Sequence, residues 1–200
     1  SADGRRDLPA PELVRWGELA EIERGPVVVL ADGGLLAGDV LQADKEELKA
    51  DSDILGPIDH LPTRLVAGIV FDLPSDRLQR RRLLDRVRAG AERSDRVILA
   101  NDDSLNGRFD RIEDDVIHLS TDVGSVELET RRTRAVLFNR TFLQRSPARQ
   151  FDCRLGLADG SLLVVQGLLA KGEPATLSLA GGPSLPVRLE DVVFLQPRGG

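Results

Sequence analysis

Short apolar runs recur along this chain, separated by turns rich in Gly and Asp. Val27 and Val29, and later Val97 and Leu99, alternate with their neighbours as a strand with one buried face does. One stretch follows a different period. From Ser75 to Arg93, Leu84, Val87 and Ala91 share a helical face, with Leu83 beside it. Ser75 after Pro74 reads as the N-cap and Gly90 marks the end. The opposite face carries Arg77, Arg80, Arg81, Arg82, Arg86 and Arg88. The start of the chain is less periodic. Leu13, Trp16 and Leu19 could form a helical stripe, but Gly17 weakens it. The pattern therefore predicts a strand leading into the first repeat, with Trp16 as a buried anchor.

The apolar runs repeat in order. VVVLADGGLLAGDV (27–40), RVILANDDSLNGRF (96–109) and CRLGLADGSLLVVQ (153–166) align on Leu-Ala followed by Asp or Asn. Each copy closes on a β-branched run ending in Phe, at Phe71, Phe138 and Phe194. The distances from Asp32, Asn101 and Asp159 to those residues are 39, 37 and 35 positions. Asp-Gly or Asn-Asp between two apolar runs favours a tight turn with positive φ. Gly38 and Gly107 fall within the second strand, where glycine permits a bend or bulge, and the third copy displaces its glycine to Gly167. Polar turns at 44–46, 113–114 and 171–173 precede third strands at 47–50, 116–120 and 175–179. Fourth strands are expected at 58–61, 125–128 and 185–187, each followed by an Arg-bearing link (Arg64, Arg134, Arg188).

The expected fold is all-β: three tandem five-stranded SH3/Sm-like barrel units with one inserted α-helix at about 75–93. The units divide into a lead-in (1–24), barrel one (25–74), a basic helix linker (75–94), barrel two (95–142) and barrel three (143–200). Copies of about 45 residues are small for independent cores, so they are expected to pack on one another through strand edges.

Composition narrows the function. The 200 residues are 41% hydrophobic, enough for a packed core. The net charge of -6 disfavours nucleic acid as the main partner, and equally an anionic membrane surface. No apolar run has the length of a bilayer span. The chain opens Ser1-Ala2-Asp3 without Met, which predicts that a preceding stretch was removed.

Residues 73–96 hold 8 Arg against 4 acids, whereas 26–72 hold 3 Lys/Arg against 9 acids. The arginine face is therefore a candidate for binding an anion or a partner. Internal pairing with the acidic first barrel is the expected arrangement.

Catalytic chemistry is weakly represented. Cys153 stands alone and alternates with Phe151 and Leu155 as a core residue would. His60 and His118 lie at non-equivalent positions without ligand-spaced partners. The acidic clusters at 51–53, 102–103 and 113–115 match no calcium loop and read as turns. Paired carboxylates can hydrolyse glycosides, but at 4% aromatics with no Tyr a sugar-stacking cleft is not expected. No phosphate loop, dinucleotide fingerprint or nucleophile elbow occurs. The chain is expected to be no enzyme and to need no cofactor or metal.

Two resemblances extend this reading. Val27–Gly33, Gly38, Asp44 and Leu65–Val70 resemble the Sm/LSm family, with its Asp-Gly turn, bend glycine, acidic turn and closing aliphatic segment. The resemblance implies the fold and not the RNA site. Asp44-Lys45-Glu46-Glu47 offers no Asn, Ala67 stands where that family has Arg, and Arg134 is followed by Ala135. Over nearly its whole length the chain also resembles the N-terminal region of large bacterial exported proteins. Arg15-Trp16-Gly17, the Leu-Ala-Asp-Gly repeats, the Leu-Leu-Asp-Arg helix and Leu195-Gln196-Pro197 carry that likeness. In those proteins a carbohydrate-binding module of the glycosidase-associated type follows, here beyond Gly199-Gly200. The likeness implies a non-catalytic scaffold or binding module in the envelope, periplasm or medium. Its partner would be another protein or the downstream glycan-binding domain. The alternative is an Sm-like nucleic-acid binder using the arginine helix.

Overall fold

A computed structural model describes residues 15–144, 152–170 and 174–197. The Pro-bounded start at Leu8–Pro11, Leu13, Phe151, the turn at 171–173 and Gly199-Gly200 lie outside the described residues. The chain is mostly β with one α-helix, and its strands join one large antiparallel sheet that does not close.

A two-residue strand, β1 (Trp16–Gly17), comes first. Unit one then runs β2 (Val27–Leu30), β3 (Leu35–Ala37), β4 (Asp39–Ala43), β5 (Glu47–Ser52), β6 (Gly56–Pro62) and β7 (Val66–Val70). Helix α1 (Arg77–Ala89) follows. Unit two comprises β8 (Asp95–Leu99), β9 (Ser104–Glu113), β10 (Val116–Thr121), β11 (Gly124–Glu129) and β12 (Thr133–Leu137). Unit three comprises β13 (Cys153–Leu157), β14 (Leu162–Leu169), β15 (Ala175–Leu179), β16 (Ser184–Val187) and β17 (Val192–Pro197). The pairing order is the same in all three. Each unit is a meander whose last strand returns to pair with its first, as β7 with β2, β12 with β8 and β17 with β13. A single 3-10 turn links the fourth strand to the fifth in every unit.

The first turn shows why the repeat survives sequence drift. Asp32, Asn101 and Asp159 each accept a hydrogen bond through Oδ1 from the amide two residues on, at 2.8, 3.1 and 2.8 Å. The residue between has φ of 94° at Gly33, 70° at Asp102 and 88° at Gly160. Asp tolerates that left-handed position better than most residues, so the unit-two turn keeps its shape without glycine.

The bend glycines are required by close backbone approach. A Cβ on Gly38 would lie 2.6 Å from the Asp51 carbonyl oxygen, and one on Gly107 2.6 Å from that of Ser120. At this place the second strand of unit one breaks into β3 and β4. Gly167 has open space around it and plays no such part.

Several expectations are corrected. The third copy does not end in register at Phe194. Val192 faces Leu157 as Val66 faces Leu30 and Thr133 faces Leu99. Counting on from there, Pro197 stands where Phe71 and Phe138 stand, and Phe194 matches Gly68 and Ala135. An apolar run ending in Phe recurs readily in any closing strand, so it did not fix the register. Trp16 is 53% exposed rather than a buried anchor. Its strand pairs with β17 of unit three instead of leading into unit one. The helix is shorter than 75–93 and its N-cap is Asp76, whose Oδ1 accepts from the Gln79 amide at 2.8 Å. Gly90 is the C-cap, as expected, with φ 71°. Cys153 is half-buried against the core.

One apolar core runs through all three units, and a second lies under α1. In the second, Leu83, Leu84 and Val87 pack on Val27, Val29, Ala67 and Val70 of unit one and on Ile98, Ala135 and Leu137 of unit two. The helix thus covers the seam where β7 pairs with β12. Among the described residues no helix is long and apolar enough to cross a membrane.

Candidate functional site

The six arginines all lie on α1 but differ in partners and exposure. Arg77 and Arg80 both pair with Glu21 of the lead-in, Arg80 at 3.1 Å. Arg80 also donates to the Pro74 and Ser75 carbonyls and is nearly buried, at 11% side-chain exposure. Arg88 pairs with Asp85 at 2.8 Å and Arg81 with the same carboxylate at 4.0 Å. Arg82 and Arg86 are exposed on the same helix. The acids that hold these arginines are Glu21 and Asp85, and not those of unit one, which corrects the expected pairing with the acidic repeat. The cause is orientation: the apolar side of α1 is the side laid on unit one, which leaves the arginines to the lead-in and to the helix itself.

The histidines are brought to no common site. His60 Nδ1 lies 2.6 Å from Glu47 Oε2 and His118 Nδ1 3.5 Å from Glu127 Oε1, each across a hairpin. The described residues contain no group of three His, Cys, Asp or Glu side chains able to hold a metal ion. Asp51 and Asp53 do gather with Glu21, Glu23, Asp39 and Asp159 around an open cleft of about 650 Å³ between the lead-in and units one and three. Among the described residues, Arg24 is the one cation lining it.

The arrangement best suited to a ligand lies elsewhere, where unit one meets unit two. A cavity of about 400 Å³ is lined by Lys45, Thr63 and Arg64 from unit one and by Asp95, Arg108, Phe109 and Phe138 from unit two, with Asn139, Phe142 and Leu143. Its floor is aromatic. Phe109 from β9 and Phe138 just after β12 meet edge to face with centroids 5.0 Å apart, and both are buried. Asn139 then turns the chain. Its Oδ1 accepts from the Thr141 amide at 2.9 Å and its Nδ2 donates to the Arg93 carbonyl at 3.0 Å. The turn so capped, Arg140–Phe142, ends on Phe142, which is 73% exposed at the cavity mouth. The Gln144 amide donates to the Arg64 carbonyl at 2.8 Å and ties this segment back to unit one.

The polar groups of the floor are already engaged. Thr63 Oγ1 donates to the Asp44 carbonyl, and Asp95 accepts from the Phe109 and Asn139 amides at 2.7 and 2.8 Å. Burial raises the pKa of Asp95 above the usual aspartate range, and its two amide donors act against that rise. Asp110, next to Phe109 in β9, is lowered instead. The Ser120 hydroxyl is the main cause, and Lys45 at 3.2 Å and Arg108 at 3.3 Å add to it. Lys45, Arg64 and Arg108 thus line an aromatic floor with Asp95, and Lys45 and Arg108 are paired with Asp110, so Arg64 is the cation best placed to meet a ligand. Such a site can hold an apolar group that carries a negative charge.

Sequence reasoning passed over this cavity. Of the six Phe in the chain, Phe109, Phe138 and Phe142 meet here, a concentration the sequence does show. All three belong to unit two, but they meet only once β9 and β12 are brought together and the segment after β12 turns back toward Arg64, which no local pattern encodes. Set against known proteins, the chain matches no family model, no curated protein and no solved structure.

Proposed function

We propose that this chain is a non-catalytic binding module of three tandem SH3/Sm-like barrels, and that the cavity between units one and two takes an extended apolar segment bearing a carboxylate from a partner protein. The observation that carries this reading is exposed Phe142 at the mouth of a cavity floored by Phe109 and Phe138, with Arg64 beside it; Lys45 and Arg108 also line the cavity but are paired with Asp110. An exposed aromatic beside an arginine is the kind of group that anchors protein contacts. The barrel reading rests on the identical pairing order of the three units and on the 3-10 turn before each closing strand. Attachment to a glycan-binding domain of an exported protein follows from the resemblance alone.

Fluorescence anisotropy with the full chain tests the site. The probe is a labelled decapeptide alternating Phe or Leu with Asp. It should bind, and bind at least about tenfold more weakly to Phe142→Ala and to Arg64→Ala, as expected for an interface anchor. The same peptide with Lys in place of Asp should not bind. Equal binding by wild type and Phe142→Ala, or no binding, would remove the cavity as the site.

Nucleic-acid binding through α1 has weaker support, because Arg77, Arg80, Arg81 and Arg88 are held by Glu21 and Asp85. A uridine-rich oligonucleotide in the same titration decides it. A salt-sensitive isotherm lost in an Arg82→Ala/Arg86→Ala variant would favour that reading instead.

A further inference from the structure

Units one and two join through their closing strands. Val70 faces Ala135, Ile69 faces Val136 and Gly68 faces Leu137. By the register of the repeat, Ile69 and Val136 are equivalent positions, so the contact is quasi-two-fold and self-complementary. The same position in unit three is Leu195, and Leu195 faces Trp16. Gly17 then faces Phe194, the counterpart of Gly68. The two-residue β1 therefore sits in the register that a neighbouring unit's closing strand would occupy. The approach is equally close. A Cβ on Gly68 would lie 2.2 Å from the Val136 carbonyl oxygen, and one on Gly17 1.9 Å from that of Val193.

A second feature guards the same edge. The amides of Phe71 and Phe138 donate across the seam to Arg134 and Ala67, both at 2.9 Å. Pro197 stands in their register and has no amide hydrogen to give.

We propose that the outer edge of β17 is a strand-acceptor surface for a second copy of this chain, kept shut by β1. When β1 leaves, two β17 edges pair antiparallel about Leu195, as β7 and β12 pair about Ile69 and Val136. Continuity with an interface the chain already makes within itself argues for a second copy as the occupant. Pro197 weakens that pairing by two donors, one from each copy, without abolishing it. Val193 and Leu195 still present their amides and carbonyls outward.

The test uses the full chain and two independent ways of evicting β1. Gly17→Val places a side chain against the Val193 carbonyl. Trp16→Pro removes the amide facing Leu195 at an exposed position. Sedimentation should give one-chain mass for wild type and two-chain mass for both variants. Amide hydrogen exchange at Val193 and Leu195 should slow as variant concentration rises. Adding Pro197→Phe to Gly17→Val should tighten the dimer roughly 10- to 30-fold, the worth of two backbone hydrogen bonds. One-chain mass in both variants with Val193 and Leu195 exchanging freely would overturn the proposal. So would a dimer that leaves those amides unprotected. One-chain mass with protection restored only by a synthetic peptide of residues 15–20 would overturn the second copy as occupant.

Discussion

Unit one meets its two neighbours through different edges, and the two junctions are built differently. Toward unit two it offers its closing strand. Three residue pairs of β7 and β12 align, α1 covers the seam, and a further pair, Ala43 with Ile112, joins β4 to β9. Toward unit three it offers the start of its second strand. There a single pair, Leu35 with Leu162, is supplemented by the Ser161 hydroxyl, which accepts from the Ala37 amide at 2.9 Å. Yet both junctions pair equivalent residues. Ala43 and Ile112 share one register position of the repeat, and Leu35 and Leu162 share another. A single unit thus carries two self-complementary edges, and unit one uses both. The outer units are finished off by local changes. Unit two has Ser104, exposed, where the others have Leu35 and Leu162. Unit three has β1 laid on its closing strand. Terminal repeats that shed or cover their sticky edge let an array stop at a fixed number of units.

The comparison breaks most visibly at Gly68. A valine there would meet the Val136 carbonyl at 2.2 Å and Val87 Cγ1 at 2.6 Å, backbone on one side and the underside of α1 on the other. Neither can retreat without parting β7 from β12. Gly68→Val should therefore cost more than about 3 kcal/mol in urea unfolding, at the upper end of overpacking. Gly167→Ala is the matched control, because nothing lies within 4 Å of its Cβ position. It should change stability by less than about 1 kcal/mol. Similar losses in the two variants would mean that the unit-one to unit-two seam is not what the chain's stability rests on.

How far this was legible in the sequence depends on the range of the interaction. The first turn was readable in all three copies because it closes on itself. Asp or Asn at its start bonds the amide two residues on, whatever lies around it. Gly38 and Gly107 were readable as a bend because glycine within an apolar run has few other uses. The closing strand of unit three was misplaced because Phe194 imitates Phe71 and Phe138 in composition, while register is set by pairing with β13. The lead-in and the aromatic cavity were missed for the same reason. Trp16 finds its place on β17 and Phe142 finds its place near Arg64, both far away in sequence. The partners of the α1 arginines were not legible, since Glu21 lies 59 positions from Arg80.

Ser161 sharpens the contrast from the weaker side. It is fully buried, and its equivalents, Gly34 and Asp103, make no bond of this kind. Ser161→Ala would leave the Ala37 amide without its partner at the junction of units one and three. The expected loss is about 0.5–1.5 kcal/mol, the net worth of a hydrogen bond whose donor, on half-buried Ala37, keeps some access to water. Ser161→Thr keeps the hydroxyl and should recover part of it. A neutral Ser161→Ala would show that this junction is held by the Leu35–Leu162 contact alone.

The smallest effect is one of pH, and it returns to the seam of units one and two. Asp110 of unit two is lowered below its ordinary value of 3.8, first by the Ser120 hydroxyl and then by Lys45 of unit one and Arg108. A carboxyl lowered on folding adds stability above its unfolded pKa, and that stability is lost as pH falls through the lower folded value. The window opens at about pH 4 and extends downward. Asp110→Asn should therefore be less stable than wild type at neutral pH, and the gap should close in acid. Ser120→Ala, which removes the leading cause and keeps the charge pair with Lys45, should close only part of it. Asp95 works with the opposite sign. Its pKa is raised by burial, so wild type gains on Asp95→Asn as pH falls through the raised value. Urea midpoints of wild type and the three variants between about pH 3 and pH 7 would separate the two carboxylates. An Asp110→Asn gap that stays constant across that range would show that Lys45 does not couple unit one to unit two through this carboxylate.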